Sequence, residues 1–328
     1  MSLTEDEEPQ DQPLAIQRRP GAPDRIFTGA ALVTSAEGEV LFSVGSPDRI
    51  FAMRSVTKPL RALALIRERV FEPGVHLFDE LAMASGSHSG TQMHLESLAA
   101  MAARNKVDLE DLRCPPRRPL GHDAQDGLTR SGGALTSLHS DCSGEHIAAL
   151  ALCSRLGTDP AGYLDRAHPA QQSYEYYIAQ ALGIPDCSSV HVGRDGCGMP
   201  SYAVSMRQVA QAYAGLERHP VHGGAGLIVA DAIRNRATLY AGHNRYITSV
   251  IRMSEGRILG KCGSDGVYVL WWAQEGVSAV VKVADGFHGA AQPVFPRLAA
   301  ETGLYFPSPA PPFFTSRTEV LQDVGCAF

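Results

Sequence analysis

The sequence predicts an α+β fold, an α/β sandwich in which an antiparallel sheet is flanked by helices. Two β-rich runs, 29–34 and 40–44, stand near the start. Helical patterns fill the middle, about 91–240, and strand patterns joined by short turns return after residue 256. Early and late strands around a helical middle are typical of one antiparallel sheet covered by helices.

The domain organisation follows from composition. Residues 1–24 are acidic, rich in Pro and Gln and poor in large apolar side chains, so we expect a flexible N-terminal arm. Residues 25–328 are expected to form a single domain that ends in a Pro-rich tail, 306–328.

Charge and hydropathy exclude several classes of function. The net charge of −6 and the lack of a Lys/Arg-rich stripe argue against nucleic acid as a partner. No apolar run reaches membrane-spanning length and the N-terminus lacks a signal-peptide pattern, so we expect a cytoplasmic protein. Seven widely spaced cysteines, an odd number, favour reduced thiols over a disulfide scaffold.

The elements follow in chain order. A hairpin turns at 36–38, and an apolar helix begins near Leu60. Further segments are expected as helices at 91–104, 147–156, 168–182, 201–216, 224–240 and 290–302, as a loop at 121–133, and as strands at 257–263, 266–272 and 277–284.

A serine and a lysine three residues apart, Ser55 and Lys58, open the first helix. Positions i and i+3 share a helix face, so the hydroxyl and the amine can meet. A neutral lysine amine that takes the proton of an attacking serine is a known variant of nucleophilic catalysis. The alternative is a helix N-cap serine followed by a surface lysine.

Lysine is rare here, since only four of the 29 basic residues are Lys. Unlike arginine, a buried lysine can lose its proton and act as a base. Lys58 and Lys261 are therefore more informative than ordinary surface charges.

Two further segments carry polar residues close together. The small-residue loop 83–90 precedes a helix, where N–H groups and hydroxyls converge, although a plain Ser-rich turn explains it equally well. Cys142, Glu145 and His146 lie within one helical turn and suggest a zinc site, although a helix cap formed by Ser143 and Glu145 explains the pattern equally well.

The order of these elements resembles the serine β-lactamase and penicillin-binding-protein fold. There a Lys-Thr/Ser-Gly triplet on a late strand faces a Ser-x-x-Lys nucleophile. Here the triplet is Lys261-Cys-Gly263, and the middle Ser-x-Asn element has only a partial match in Ser140-Asp-Cys142.

Six short motifs together resemble the class 3, rhizobial-type L-asparaginases, which contain zinc and share that fold. They run in family order from about residue 25 to residue 303. The motifs are Arg54-Ser-Val-Thr-Lys58, Ala84-Ser-Gly-Ser-His-Ser-Gly90, Asp141-Cys-Ser-Gly-x-His146, His168-Pro-x-Gln-Gln172, Asp195-Gly-Cys-Gly-Met-Pro200 and Gly260-Lys-x-Gly263.

The resemblance implies a role for each matching residue. Ser55 and Lys58 are implied to be the nucleophile and its base. Ser87 and Lys261 are implied to form a second catalytic pair on the opposite wall of the site. Cys142 and Cys197 are implied to be zinc ligands. Arg54, His146 and Asp195 are implied to hold the amino-acid part of the substrate.

Two of the motifs depart from the family pattern. Glu145 stands where the family has a lysine that ligates zinc, so we expect a zinc site of Cys142, Glu145 and Cys197. The family's Gly-Ala-Glu-Gly is altered to Gly263-Ser-Asp-Gly266. Both changes bear on substrate specificity.

The resemblance therefore implies an L-asparaginase-type amidohydrolase that converts L-asparagine, or a close amide, to L-aspartate and ammonia through a Ser-Lys acyl-enzyme. The alternatives are a hydrolase or transacylase of the same fold acting on another amide or ester, and a non-catalytic binding protein that kept the scaffold. We expect no organic cofactor. We expect a small-molecule substrate and a homodimer.

Overall fold

The predicted α+β architecture is confirmed by a computed structural model, which describes residues 11–19, 22–222, 224–313 and 324–327. Helices cover an antiparallel sheet, and a smaller sheet lies beside it. The strands are β1 Gln12–Arg19, β2 Ala22–Ser35, β3 Val40–Val44, β4 Ile50–Ala52, β5 His191–Arg194, β6 Pro200–Ser205, β7 Ile258–Gly263, β8 Val267–Trp272, β9 Val277–Val283 and β10 Val324–Cys326.

The larger sheet has the strand order β10-β1-β2-β9-β8-β7, with β3 also paired to β2. The register sets Leu32 opposite Val280, so early and late strands meet at the centre of the sheet. The smaller sheet has the order β4-β6-β5. In both sheets the pairs are antiparallel.

Twelve helices are found in the described residues, most of them between the early and late strands. They are α1 Lys58–Arg67, α2 Leu77–Ser85, α3 Gln92–Arg104, α4 His122–Ser131, α5 Ser143–Leu156, α6 Pro169–Leu182, α7 Met206–Ala214, α8 Ala225–Asn235, α9 Ala237–Tyr240, α10 Tyr246–Met253, α11 His288–Ala291 and α12 Val294–Thr302. None of these helices combines the length and hydropathy needed to cross a membrane.

The core lies on both faces of the central strands. Every side chain of β8 is buried, and β9 is buried except at Lys282, which is half-buried. Such continuous burial is typical of strands covered on both faces. α7 packs against β2, β8 and β9, and its Tyr213 contacts Trp271 of β8 with 4.9 Å between ring centroids. α12 packs against β3 and β9.

Three expectations were wrong. Residues 12–19 are a strand rather than part of a flexible arm, because Leu14 and Ala15 are fully buried and β1 pairs with β2 and β10. Residues 122–131 form α4, which ends at Gly132 in the left-handed conformation. The stretch 201–216 divides into β6 and α7, and Ser205 caps the helix through Gln208. Residues 1–10 and 314–323 lie outside the described part of the chain.

Candidate active site

Ser55 lies on a single 3-10 turn, Arg54–Thr57, that leads into α1. Arg54 has a φ of +53°, a conformation rare for a residue with a side chain. Gly263, at the end of β7, packs against this turn so closely that a Cβ there would lie 3.2 Å from Ser55 N and 3.0 Å from Met53 O. The end of β7 therefore fixes the position of the Ser55 backbone.

Lys58 is buried at the start of α1, with a relative exposure of 2%. Its Nζ donates to Gly86 O at 2.9 Å and to Ser87 Oγ at 3.3 Å. Within the described residues no hydrogen bond joins Ser55 Oγ to Lys58 Nζ. The spacing of Ser55 and Lys58 predicted that the two side chains could meet. The Lys58 ammonium instead donates to Gly86 O and Ser87 Oγ.

Ser87 is the hydroxyl that both motif lysines reach. Lys261 Nζ donates to Ser87 Oγ at 2.9 Å from β7, opposite the 3.3 Å contact of Lys58. The loop that carries Ser87 is held by its own N–H, which donates to Tyr240 O at 2.9 Å. The second serine–lysine pair is thus assembled from two segments far apart in the chain.

The two lysines differ in how readily they lose a proton, because their pKa values shift in opposite directions. Burial lowers the pKa of Lys261 to about 8, and neighbouring Lys58 acts in the same direction, whereas Cys262 opposes the shift. Burial also acts to lower the pKa of Lys58, but the nearby thiols and the Glu145 carboxylate outweigh it and raise that pKa. Lys58 therefore stays cationic at neutral pH, and Lys261 is close to giving up its proton.

Glu145 is the counter-ion of this buried charge. Its Oε2 lies 3.6 Å from Lys58 Nζ, and its Oε1 accepts a hydrogen bond from Arg61 Nη1. Arg61 also donates from Nη2 to Pro200 O. Burial acts to raise the pKa of Glu145, but Arg61 and Lys58 outweigh it and lower that pKa, so the carboxyl is ionised.

The predicted zinc ligands come together. The ligand atoms of Cys142, Glu145 and Cys197 lie within 4.8 Å of one another, and all three residues are buried. A hydrogen bond from Cys142 lowers the pKa of Cys197 to about 5, although burial opposes this shift; the same bond and burial raise the pKa of Cys142. Glu145 Oε2 accepts no hydrogen bond from the described residues. Two sulfurs and a carboxylate oxygen suit zinc, so the donor set fits the metal.

A small cleft gives access to the two serines. It has a volume of about 120 Å³. Its lining comprises Ser55, Ser87, Arg117, Leu120, Asp141, Arg245, Tyr246, Ile247, Cys262, Gly263, Ser264, Tyr268, His288 and Gln292. Burial, followed by Arg245, lowers the pKa of His288 to about 4, so the imidazole is neutral at pH 7.

The three residues expected to hold the substrate make contacts of their own, and their role in substrate binding stays a prediction. Arg54 Nη2 pairs with Asp195 at 2.7 Å and Nη1 pairs with Asp265 at 2.7 Å. His146 is fully buried, with its Nδ1 2.5 Å from the Tyr163 hydroxyl. Within the described residues, Arg54, His146 and Asp195 do not line the cleft.

Sequence reasoning did not single out three charged residues of the site, Arg61, Arg117 and Arg245. Arg61 had a usable signal: it stands three residues after Lys58, on the same face of an otherwise apolar helix. Arg117 and Arg245 lie in loop and helix-start segments without a local pattern that marks them.

The match to a family model supports a hydrolase. Residues 16–319 match the family model of L-asparaginase II, so the chain belongs to the L-asparaginase II family. Among curated proteins, no sequence matches the chain.

Solved structures similar to the chain include a β-lactamase of Mycobacterium bovis, with 18% identity, coverage of 84% of this chain and 95% of that one, and a TM-score of 0.45. The hydrolase EstCE1, described as having promiscuous acyltransferase activity, has 13% identity, coverage of 84% and 93%, and a TM-score of 0.44. A DD-transpeptidase of Streptomyces K15 has 12% identity, coverage of 85% and 99%, and a TM-score of 0.39.

Proposed function

We propose that the protein is an L-asparaginase-type amidohydrolase that hydrolyses the side-chain amide of L-asparagine, or of a close analogue, through a serine acyl-enzyme. The observation that carries the proposal is the contact of Lys261 Nζ with Ser87 Oγ at 2.9 Å, in a cleft that Ser55 also lines. Family membership supports the amide as the substrate group.

Ser55 is the proposed nucleophile. Its Oγ attacks the amide carbon, and its proton passes by way of Ser87 to the neutral amine of Lys261. Ser55 N–H, held in place by Gly263, donates to the oxyanion that forms. The C–N bond then breaks, ammonia leaves with the proton from Lys261, and water hydrolyses the Ser55 ester to release L-aspartate.

Lys58 has a different role in this mechanism. Because Glu145 keeps it charged, it does not act as the base; it orients Ser87 and stabilises negative charge that develops nearby. In this mechanism Lys261 accepts and returns the proton, and Lys58 stabilises negative charge.

One observation favours Ser87 as the nucleophile instead, since both lysines contact its hydroxyl. Mass mapping of the acylated peptide, trapped by rapid acid quench, distinguishes the two serines. With Ser55 as nucleophile, the label lies on the peptide containing residue 55, and Ser55→Ala forms no adduct. A label on the peptide containing residue 87 would reassign the role.

The decisive measurement is ammonia release from L-asparagine, compared with L-glutamine and with simple esters. We expect wild-type turnover of asparagine and loss of nearly all of it in Ser55→Ala. Equal background release from both proteins, together with ester cleavage by wild type, would favour the second candidate, a hydrolase or transacylase acting on another amide or ester. Glu145 and the altered segment Gly263-Ser-Asp-Gly266, which depart from the family motifs, favour this candidate.

We further propose that Cys142, Glu145 and Cys197 hold zinc. When bound there, the ion supplies positive charge that keeps both thiols ionised and fixes the loops bearing them. Metal analysis of purified wild type and Glu145→Ala tests this proposal, and equal zinc content in both would remove Glu145 as a ligand. The homodimer stays a prediction, which sedimentation equilibrium tests.

A further inference from the structure

A second cavity lies between α4 and the residues that flank this helix in the chain. Its volume of about 320 Å³ falls within the roughly 300–1,000 Å³ of small-molecule pockets. All the residues that line it belong to the stretch 118–135, and we call it the α4 cavity. Among the described residues that line it are neither the serines nor the lysines of the proposed mechanism, so the proposed function leaves this cavity unused.

The walls of the α4 cavity are largely apolar. They include Pro119, Leu128 and Leu135, of which Leu128 is half-buried and Leu135 is 38% exposed. None of the residues of α4 is buried by the described part of the chain, so the apolar side chains of this helix stay in contact with solvent. Transfer of a hydrocarbon group from water onto these walls is therefore favourable.

Among the described lining residues one is charged. It is Arg118, whose side chain is exposed and forms no ion pair with the residues that the structure describes. Gln125 Nε2 donates to Pro119 O at 2.7 Å, so the polar part of the lining holds α4 to the segment before it. A guanidinium presents paired N–H donors that match a carboxylate, and the apolar walls beside it favour a carboxylate that carries a hydrocarbon part.

The α4 cavity and the catalytic cleft share a wall. Arg117 and Leu120 line the cleft, whereas Arg118 and Pro119, which stand between them in the chain, line the α4 cavity. A ligand in the α4 cavity would therefore contact the back of a segment whose other side chains face the proposed reaction.

This wall is also attached to the loop that carries Ser87. A Cβ at Gly90 would lie 2.9 Å from Pro119 Cβ, and Gly121 N donates to Ser89 O at 2.9 Å. Both contacts join the wall to residues that follow Ser87 within the same loop. A ligand that holds the wall in place would hold this loop as well.

We propose that the α4 cavity binds a small amphipathic carboxylate, with its hydrocarbon part against Leu128 and Leu135 and its carboxylate on Arg118. The bound acid stabilises residues 117–121 against the Ser87 loop. Binding at this site does not depend on the reaction proposed for Ser55.

NMR titration of the full chain with three probes tests the chemistry of the site. The probes are hexanoate, hexanol, which lacks the charge, and acetate, which lacks the hydrocarbon chain. We expect hexanoate to bind roughly 10- to 100-fold more tightly than acetate, because its methylene groups leave water. Hexanol should bind more weakly than hexanoate by about 3- to 10-fold, a range set by a partly exposed charged contact.

Variants at the walls separate the two parts of the ligand. Arg118→Gln should weaken hexanoate about 3- to 10-fold and leave hexanol unchanged, since the variant removes only the charge. Leu135→Ser should weaken hexanoate and hexanol alike. Both positions are exposed, so we expect both variants to fold.

Two neighbouring arginines supply the controls. Arg117→Gln changes a residue of the catalytic cleft, and Arg130→Gln changes an exposed residue of α4 outside the cavity lining. Each should bind hexanoate within about twofold of wild type. Hydrogen exchange should also slow on hexanoate binding in peptides that cover 118–135 and the Ser87 loop.

Four outcomes would overturn the proposal. They are no binding of hexanoate by wild type, equal wild-type affinity for hexanoate and acetate, unchanged hexanoate binding in Arg118→Gln, and exchange protection that lies outside 118–135. Loss of hexanoate binding in Arg117→Gln but not in Arg118→Gln would place the acid in the catalytic cleft instead.

Discussion

Lys261 Nζ contacts Ser87 Oγ at 2.9 Å although the two residues are 174 positions apart in the chain. Lys261 lies on a strand at the end of the sheet order, and Ser87 lies on the loop that follows α2. The contact is the point at which the two parts of the proposed catalytic machinery meet. The predictions below test what depends on it.

The pH profile of activity should report Lys261. Burial lowers the pKa of Lys261 to about 8, and the amine is a base only when deprotonated. We therefore expect kcat/KM to rise as the pH increases through about 8 and then to level off. The measurement is ammonia release across pH 6–10, a range taken as roughly two units on each side of that pKa.

Replacing the base should remove that profile. A guanidinium does not deprotonate in this range, so Lys261→Arg should lose roughly 10²- to 10⁴-fold in kcat and show no rise near pH 8. Lys106→Arg, at an exposed position, is the matched control. A wild-type-like profile in Lys261→Arg would assign the base to another residue.

Gly263→Ala should impair catalysis more than folding. Its Cβ would press on backbone atoms, Ser55 N and Met53 O, which move only with the whole nucleophile turn. A shift of a few tenths of an ångström is expected to lower kcat by about 10- to 100-fold. Kinetics measured beside thermal melts separate the two effects; unchanged kcat in a folded variant would contradict the close approach described here.

Removing one partner of the buried Arg61–Glu145 pair should destabilise the protein strongly. Glu145→Gln leaves Arg61 without its counter-ion, at an expected cost of about 3–5 kcal/mol in the free energy of unfolding. The double variant Arg61→Met/Glu145→Gln should recover the part of this loss that comes from Arg61, whereas the buried Lys58 stays without its counter-ion.

Denaturant unfolding in the presence of a chelator measures both effects without a contribution from metal. The control is Glu301→Gln at the surface pair Arg297–Glu301, which should cost less than about 1 kcal/mol. Additive effects of the Arg61 and Glu145 changes would show that the two side chains do not interact energetically.

The stability of the protein at acidic pH should depend on the Glu145 carboxylate. The folded-state pKa of Glu145 is lowered, so its contribution to stability is present above the unfolded value of about 4.3 and is lost as the pH falls through the folded pKa. Unfolding midpoints should therefore decline less steeply below pH ~4.3 in Glu145→Gln than in wild type. Parallel curves would mean that Glu145 titrates alike in both states.

The sequence predicted the layers of the fold where the hydrophobic pattern was clear. The late strands and the apolar helix after Ser55 were found within one or two residues of their expected bounds. The first strand was missed because its composition suggested disorder, while its burial depends on pairing with β2 and β10. The division of 201–216 into β6 and α7 depends on tertiary context that an amphipathic pattern does not carry.

At the site, local spacing and the family resemblance indicated the two serines, the two lysines and the cluster of thiols with Glu145. They did not indicate which ions pair. Arg54 pairs with Asp265, 211 positions away, and Arg117 reaches Gly196, 79 positions away. Contacts of this kind depend on how separate turns dock, and no periodicity encodes them.

The pairing of β2 with β9 has a consequence for synthesis of the chain. The centre of the sheet forms only when residues 29–35 pair with residues 277–283, which are synthesised much later. Such long-range pairing slows folding, and during that interval the serine-bearing turn exists without Lys261. A nascent chain therefore carries Ser55, the proposed nucleophile, before Lys261, the base proposed to activate it, has been synthesised.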